Sequence, residues 1–144
     1  MNTKRWLVMV MLLVLVGASC AKKSTTDAAP TTSSPSASPS ALIPAPFNEH
    51  GSKDVTGATS TILEVDNFYF APSILRGRPG EKLKLEISND AKVPHNFTLS
   101  DQHINQDLAP GQKVSVTVTF PMTGSLLFHC EYHESRGMKG ALTT

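Results

Sequence analysis

The sequence predicts an all-β fold, a small sandwich or barrel. Three observations carry that expectation. From about residue 59 onward apolar and polar residues alternate with a period of two, turn-forming residues break the alternation at short intervals, and no stretch has a helical period. A length of 144 residues suits one domain or less, which excludes a multidomain enzyme. Lys and Arg total 13 against 12 Asp and Glu, a formal net charge of +1, so no basic stripe is present to displace counterions from phosphates. No nucleic-acid partner is expected. Cys20 and Cys130 are too few and too differently placed for a disulfide framework.

Residues 1–19 read as an export signal. Lys4 and Arg5 precede an apolar run from Trp6 to Val16, and the small residues Gly17, Ala18 and Ser19 follow. As a helix that run covers roughly 17 Å, short of the ~30 Å hydrocarbon core, so a permanent span is not expected. Cys20 follows directly and resembles the lipidated first residue of bacterial lipoproteins, although Gly17 stands where such signals usually carry Leu. Cleavage after Ala18 to leave a soluble product is the competing reading. Both place the mature chain outside the cytoplasm, in the periplasm or at the cell surface.

Residues 20–58 read as a disordered tether ahead of a folded domain at 59–144. Within residues 21–46, 21 of 26 positions are Ser, Thr, Ala or Pro, a composition that cannot bury enough apolar area to offset the entropy of ordering it. A tether holding a domain away from a surface fits a lipid anchor on Cys20. Asn48 to Gly57 is open to two readings, a disordered approach or an early edge strand.

Five strands are expected within the domain. Thr61 to Val65 and His95 to Leu99 are short candidates. Lys82 to Ile87 is the clearest, with Leu83, Leu85 and Ile87 on one face and Lys82, Lys84 and Glu86 on the other. Val114, Val116, Val118 and Phe120 alternate with Ser115, Thr117 and Thr119. Leu126, Phe128 and Cys130 share one face of the last, which leaves Leu127, His129 and Glu131 outside. Turn signals fall at Pro72, Gly77 to Gly80, Asn89-Asp90, Pro110-Gly111 and Pro121 to Gly124.

The chemistry lies at the C-terminus. Cys130, His133 and Met138 bring a thiol, an imidazole and a thioether into nine residues, with Cys130 turned inward by the strand parity. His95 is the natural further ligand, since it opens a strand and Pro94 before it restricts the direction of entry. Two imidazoles, a thiolate and a weak thioether form the ligand set of a blue-copper site. Thiolate and thioether suit Cu(I) while imidazole tolerates Cu(II), so the mixed set accommodates both. Zinc takes two His and one Cys as well, but a neutral Met in the fourth place favours copper. A histidine directly before the copper Cys, here His129, wires a second copper centre in some oxidases and nitrite reductases. Such centres need further histidines, and only His50 and His103 remain. Asn96-Phe97-Thr98 is a glycosylation sequon that a bacterial export signal discounts, and Met122 reads as loop or core packing.

These residues resemble the cupredoxins, specifically the plastocyanin-like branch. The resemblance rests on Val93-Pro94-His95-Asn96, Leu108-Ala109-Pro110-Gly111, and Phe128-His129-Cys130 through Gly137-Met138-Lys139-Gly140, with Phe70-Ala71-Pro72 and Gly80 ahead of them. It covers nearly all of residues 60–144. It implies a Greek-key β-sandwich that holds one type 1 copper under the loop joining the last two strands. His95, Cys130 and His133 would be the equatorial ligands and Met138 the axial one, with Asn96 pinning the ligand loops by hydrogen bonds. Two features depart from the family. His95 and Cys130 are only 35 positions apart, and Glu131-Tyr132 replaces the small residue and proline often found between Cys and His.

The expected function is a monomeric, membrane-tethered carrier of single electrons between a redox protein donor and acceptor, and not an enzyme. The alternative is a copper-binding protein for copper delivery or resistance, although the chain lacks the Met-rich or His-rich tract of a carrier. A copper enzyme of the nitrite-reductase class comes third and would require another domain or trimerisation.

Overall fold

The structure is a computed structural model and describes residues 39–144. The export signal, Cys20 and the first part of the tether lie outside the described residues. Ten strands follow in chain order: β1 (Ser52–Asp54), β2 (Ser60–Asp66), β3 (Tyr69–Ala71), β4 (Ile74–Arg76), β5 (Lys82–Asn89), β6 (His95–Leu99), β7 (Ile104–Leu108), β8 (Lys113–Thr119), β9 (Ser125–His129) and β10 (Lys139–Thr143). They form a six-stranded sheet in the order β1-β4-β10-β9-β6-β7 and a four-stranded sheet in the order β3-β2-β5-β8. Consecutive strands change sheet at every step except β2 to β3, β6 to β7 and β9 to β10, the path of a Greek-key sandwich. Among the described residues the only helical turns are short 3-10 segments.

The alternation seen in the sequence sets which faces meet. Leu83, Leu85 and Ile87 of β5 are buried while Lys82, Lys84 and Glu86 face out. β5 pairs in parallel with β2, placing Leu63 beside Ile87, and antiparallel with β8, placing Val118 beside Leu83. Three aromatic rings then join the sheets. Phe70 of β3 meets Phe97 of β6 and Phe128 of β9 edge-on at centroid distances of 6.1 and 5.1 Å, and Phe97 and Phe128 lie 5.2 Å apart. All three are fully buried, so truncating any one would cost about 3–5 kcal/mol.

All five expected strands are present, and each expected turn signal falls at or beside a strand end. Four strands were not anticipated: β3 and β4 span only three residues each, too few to show a period, while β7 is polar and β10 opens on Lys139-Gly140; β1 was one of two readings of its segment. The boundary expected near residue 58 needs correction. β1 pairs with β4 ahead of it, Val55 is buried in the main core, and Ile43 packs with Ile74 and Ala141. The residues from 48 to 57 are therefore an early edge strand with its approach, because main-chain bonding to β4 gives this polar stretch a partner that its composition does not reveal.

Candidate metal centre

The ligand candidates come from three places at one end of the sandwich. His95 opens β6, Cys130 follows the last residue of β9, and His133 and Met138 lie on the loop that leads into β10. Entry to β6 is fixed by Asn89, a fully buried residue at the end of β5. Its side-chain amide donates to the carbonyls of Val93 and Leu108, both at 3.0 Å, and its Oδ1 accepts from the Ala91 N–H. The 89–94 turn thus carries Pro94 and delivers His95 into the interior, where it is wholly buried.

The loop after Cys130 closes on itself through backbone bonds. The Cys130 N–H donates to the Met138 carbonyl at 3.1 Å, the His133 N–H to the Cys130 carbonyl at 3.0 Å, and the Met138 N–H to the His133 carbonyl at 3.3 Å. Met138 is fully buried in the same core cluster as Cys130. Asn96 couples the loop to β6. Its backbone N–H points at Cys130 Sγ at 3.3 Å, and its Oδ1 accepts from Thr98 Oγ1 at 2.5 Å and from the Glu131 N–H at 3.4 Å.

Three donor atoms converge. His95 Nδ1 and His133 Nδ1 are 3.2 Å apart, and Cys130 Sγ lies 3.5 Å from His133 Nδ1 and 3.9 Å from His95 Nδ1. A first-row ion bound at about 2.0–2.1 Å to nitrogen and 2.3 Å to sulfur would hold three in-plane donors roughly 3.5–3.8 Å apart. The triangle is close to that size, with its nitrogen–nitrogen edge somewhat shorter, so a small inward-bound ion needs only slight spreading of the two imidazoles. The chemistry of the set fits a type 1 copper ion.

The electrostatics are those of a dry site. Burial, reinforced by the neighbouring His133, pushes the pKa of His95 down to about 4. Burial and then the Arg136 charge lower that of His133. Burial raises the Cys130 thiol, against the pull of the Asn96, Tyr132 and His133 amides. Neutral imidazoles are thus presented to a metal at physiological pH, and thiol ionisation has to accompany binding. In the copper-free chain the unfolded state binds a proton at His95 from pH 6.5 downward while the folded state resists until about 4. Stability is therefore expected to fall as pH drops through that window, by up to about 3 kcal/mol. Denaturant unfolding of the copper-free chain at pH 7 and pH 4.5, beside His95→Gln, checks this: the wild-type loss should shrink in the variant.

The rim joins Asn96, Glu131 and Tyr132 to residues that the sequence did not single out, Phe68, Asn105 and Asp107. The Phe68 ring, on a left-handed turn residue, lies 4.7 Å from the His133 ring and carries the Arg136 guanidinium 4.5 Å above it. The two residues that depart from the family pattern are tied down to β7. Tyr132 Oη donates to Asp107 Oδ1 at 2.6 Å, Asn105 Nδ2 donates to Glu131 Oε1 at 2.9 Å, and Asn96 Nδ2 reaches both Asn105 and Asp107. Hydrogen bonds from Tyr132 and Asn96 hold the Asp107 carboxyl below the usual range. The adjacent Asp66-Asn67 pair, a turn-forming dipeptide, is the local signal that could have marked Phe68; nothing local marks Asn105 and Asp107.

The remaining candidates lie elsewhere. His129 is half-buried with Nε2 3.9 Å from the Glu134 carboxylate, His50 stacks on Tyr69 at 3.5 Å, and His103 is an exposed left-handed residue. Met122 is 71% exposed, so it is a surface loop residue and not core packing. Among the described residues, His95, Cys130 and His133 form the cluster with metal-ligating geometry, all donor atoms lying within 4.8 Å of one another.

Comparison with known proteins agrees with this geometry. The chain is 31% identical to plastocyanin of Daucus carota over 84 residues, which is 51% of this chain and 84% of that one. The dithionite-reduced auracyanin of the photosynthetic bacterium Roseiflexus castenholzii superposes with a TM-score of 0.50 at 18% identity, covering 60% of this chain and 96% of that one. The metal-binding domain of the Cu(I)-exporting P-type ATPase CopA of Streptococcus pneumoniae D39 does so with a TM-score of 0.51 at 11% identity, covering 63% of this chain and 94% of that one. At those identities the two structures speak to the fold alone. The Cupredoxin-like domain profile matches residues 7–144. With that match, the plastocyanin likeness and a buried His-Cys-His triangle beside Met138, the chain belongs to the cupredoxin family.

Proposed function

We propose that this chain is a carrier of single electrons between extracytoplasmic redox proteins, in which His95, Cys130, His133 and Met138 would hold one copper. The observation that carries this reading is how the triangle is held by burial and hydrogen bonds. His95 is locked by burial, Cys130 by its own loop and the Asn96 N–H, and His133 by the backbone bonds that close the loop. Bound copper supplies the one-electron Cu(I)/Cu(II) couple. The chain's part is to keep the same donors in place in both oxidation states, so that little rearrangement opposes transfer.

His133 is the proposed exit for the electron. It is half-buried, the only ligand of the triangle that reaches the surface, and exposed Tyr132 and Val93 lie on the loops around the ligands. His129, whose backbone is continuous with Cys130, offers a second surface point beside Glu134. In this reading the chain acts as a monomer and transforms no substrate by itself. The export pattern of residues 1–19, Cys20 and the Ser/Thr/Ala/Pro-rich stretch support an anchored, extracytoplasmic location. Cys20→Ala in the full chain is expected to move the protein from the membrane fraction to the soluble one; unchanged fractionation would contradict the anchor.

The experiment that tests the function is repeated reduction and reoxidation of the copper-loaded protein in the presence of a Cu(I) chelator. Electron transfer predicts one electron per chain in every cycle with copper retained. Loss of copper to the chelator on reduction would overturn it and support copper delivery.

A further inference from the structure

Asn48, ahead of β1, reaches both loops that flank His133. Its side-chain amide donates to the Phe68 carbonyl at 2.9 Å and to the Arg136 carbonyl at 2.8 Å, and its backbone N–H donates to the Gly137 carbonyl at 2.9 Å. The first acceptor belongs to the turn whose ring lies 4.7 Å from His133 and 6.4 Å from His95. The other two lie between His133 and Met138. One residue therefore spans the gap between the aromatic cover of the imidazoles and the loop that carries two of the proposed ligands.

The loop is shaped to receive it. Gly137 has φ +87°, and a Cβ there would come within 3.1 Å of Asn48 Oδ1 and 3.2 Å of its backbone nitrogen. The chain before Asn48 is itself anchored: Ile43 and Phe47 pack against Ile74 and Ala141, and Lys139 Nζ donates to the Pro44 carbonyl at 3.4 Å. Both amide hydrogens of Asn48 are used, each on a carbonyl of a different loop. That geometry exceeds what a linker residue needs.

We propose that Asn48 is a positioning residue of the metal centre, fixing the Phe68 turn against the 133–138 loop and through them the placement of His133 and Met138. The proposal rests on the copper reading above. It also makes the segment ahead of the first strand part of the site.

The test compares full-length wild type with Asn48→Ala and Asn48→Asp. The second keeps the shape but replaces the two N–H donors with a carboxylate that faces two carbonyls. In both variants copper release to a chelator is expected to quicken by about 10-fold, the usual scale for a lost outer partner of a metal ligand. The visible spectrum and the reduction potential should shift as well. In copper-free samples, amide hydrogen exchange across His133–Met138 should speed up while the β5 and β8 amides stay protected. A lowered melting temperature with unchanged spectrum, potential and release rate, and uniform exchange, would overturn the proposal and leave Asn48 a staple of the fold. A wild type that binds no copper would instead defeat the copper reading, and the copper-free exchange would still decide whether Asn48 orders the loop.

Discussion

Copper-loaded Cys130→Ser is expected to be colourless or nearly so, with wide copper hyperfine splitting and copper affinity lowered by orders of magnitude. The blue colour of a thiolate–Cu(II) pair comes from charge transfer out of a sulfur orbital, and a serine hydroxyl has no counterpart at accessible pH. The serine also stays protonated near neutrality, so the triangle loses its anionic corner. Loss of the fold is not the expected cause. Serine is close in volume to cysteine, and the Asn96 N–H that points at Sγ at 3.3 Å can donate to Oγ instead. The burial cost of a hydroxyl with one partner is about 1–2 kcal/mol. Circular dichroism and denaturant unfolding of the copper-free variant should therefore remain close to wild type while the colour is gone. A variant that kept an intense blue band would show that the thiol is not the ligand.

Gly140→Ala is expected to unfold the domain or strip most of its stability. Gly140 pairs with Phe128 across β10 and β9, and the Phe128 ring lies over the glycine. A Cβ there would run into the Phe128 ring on one side and the Ser73 carbonyl on the other. The ring cannot retreat, because Phe70 and Phe97 enclose it, and Ser73 O is fixed as the acceptor of the Ala141 N–H at 2.9 Å. With no soft neighbour to yield, the cost should exceed the usual overpacking penalty of about 1–3 kcal/mol. Since β10 follows directly on Met138, displacing it would also disorder the ligand loop. Denaturant unfolding of the copper-free protein checks this; a change below about 1 kcal/mol would mean that the sheets repack freely at this end.

The parts of the fold visible in the sequence are those where burial on one face imposes a period. β5, β8 and β9 show it plainly, since each has one face on the core. β6 was legible as His95–Leu99 although all five residues are buried, because Phe97 and Leu99 share a parity with His95. The strands that escaped are held by main-chain pairing more than by side chains. β7 carries Asn105, Gln106 and Asp107, and its place is set by register with β6, Asn96 facing Asp107. The same register makes the Asn96–Asn105–Asp107–Tyr132 network, which no linear spacing encodes. The proposed ligands Cys130, His133 and Met138 were legible because one loop holds them, and His95 because Pro94 and Asn96 frame it. Asn48 was hidden by the low-complexity stretch before it, whose composition says nothing about contacts made nearly ninety residues along the chain.

X-ray absorption of the copper-loaded protein, oxidised and reduced, tests the central claim most directly. A rigid thiolate–imidazole site predicts one short copper–sulfur shell and two imidazole nitrogens in both states, with bond lengths that change only slightly between them. A first shell of nitrogen and oxygen alone, or a ligand lost on reduction, would contradict it.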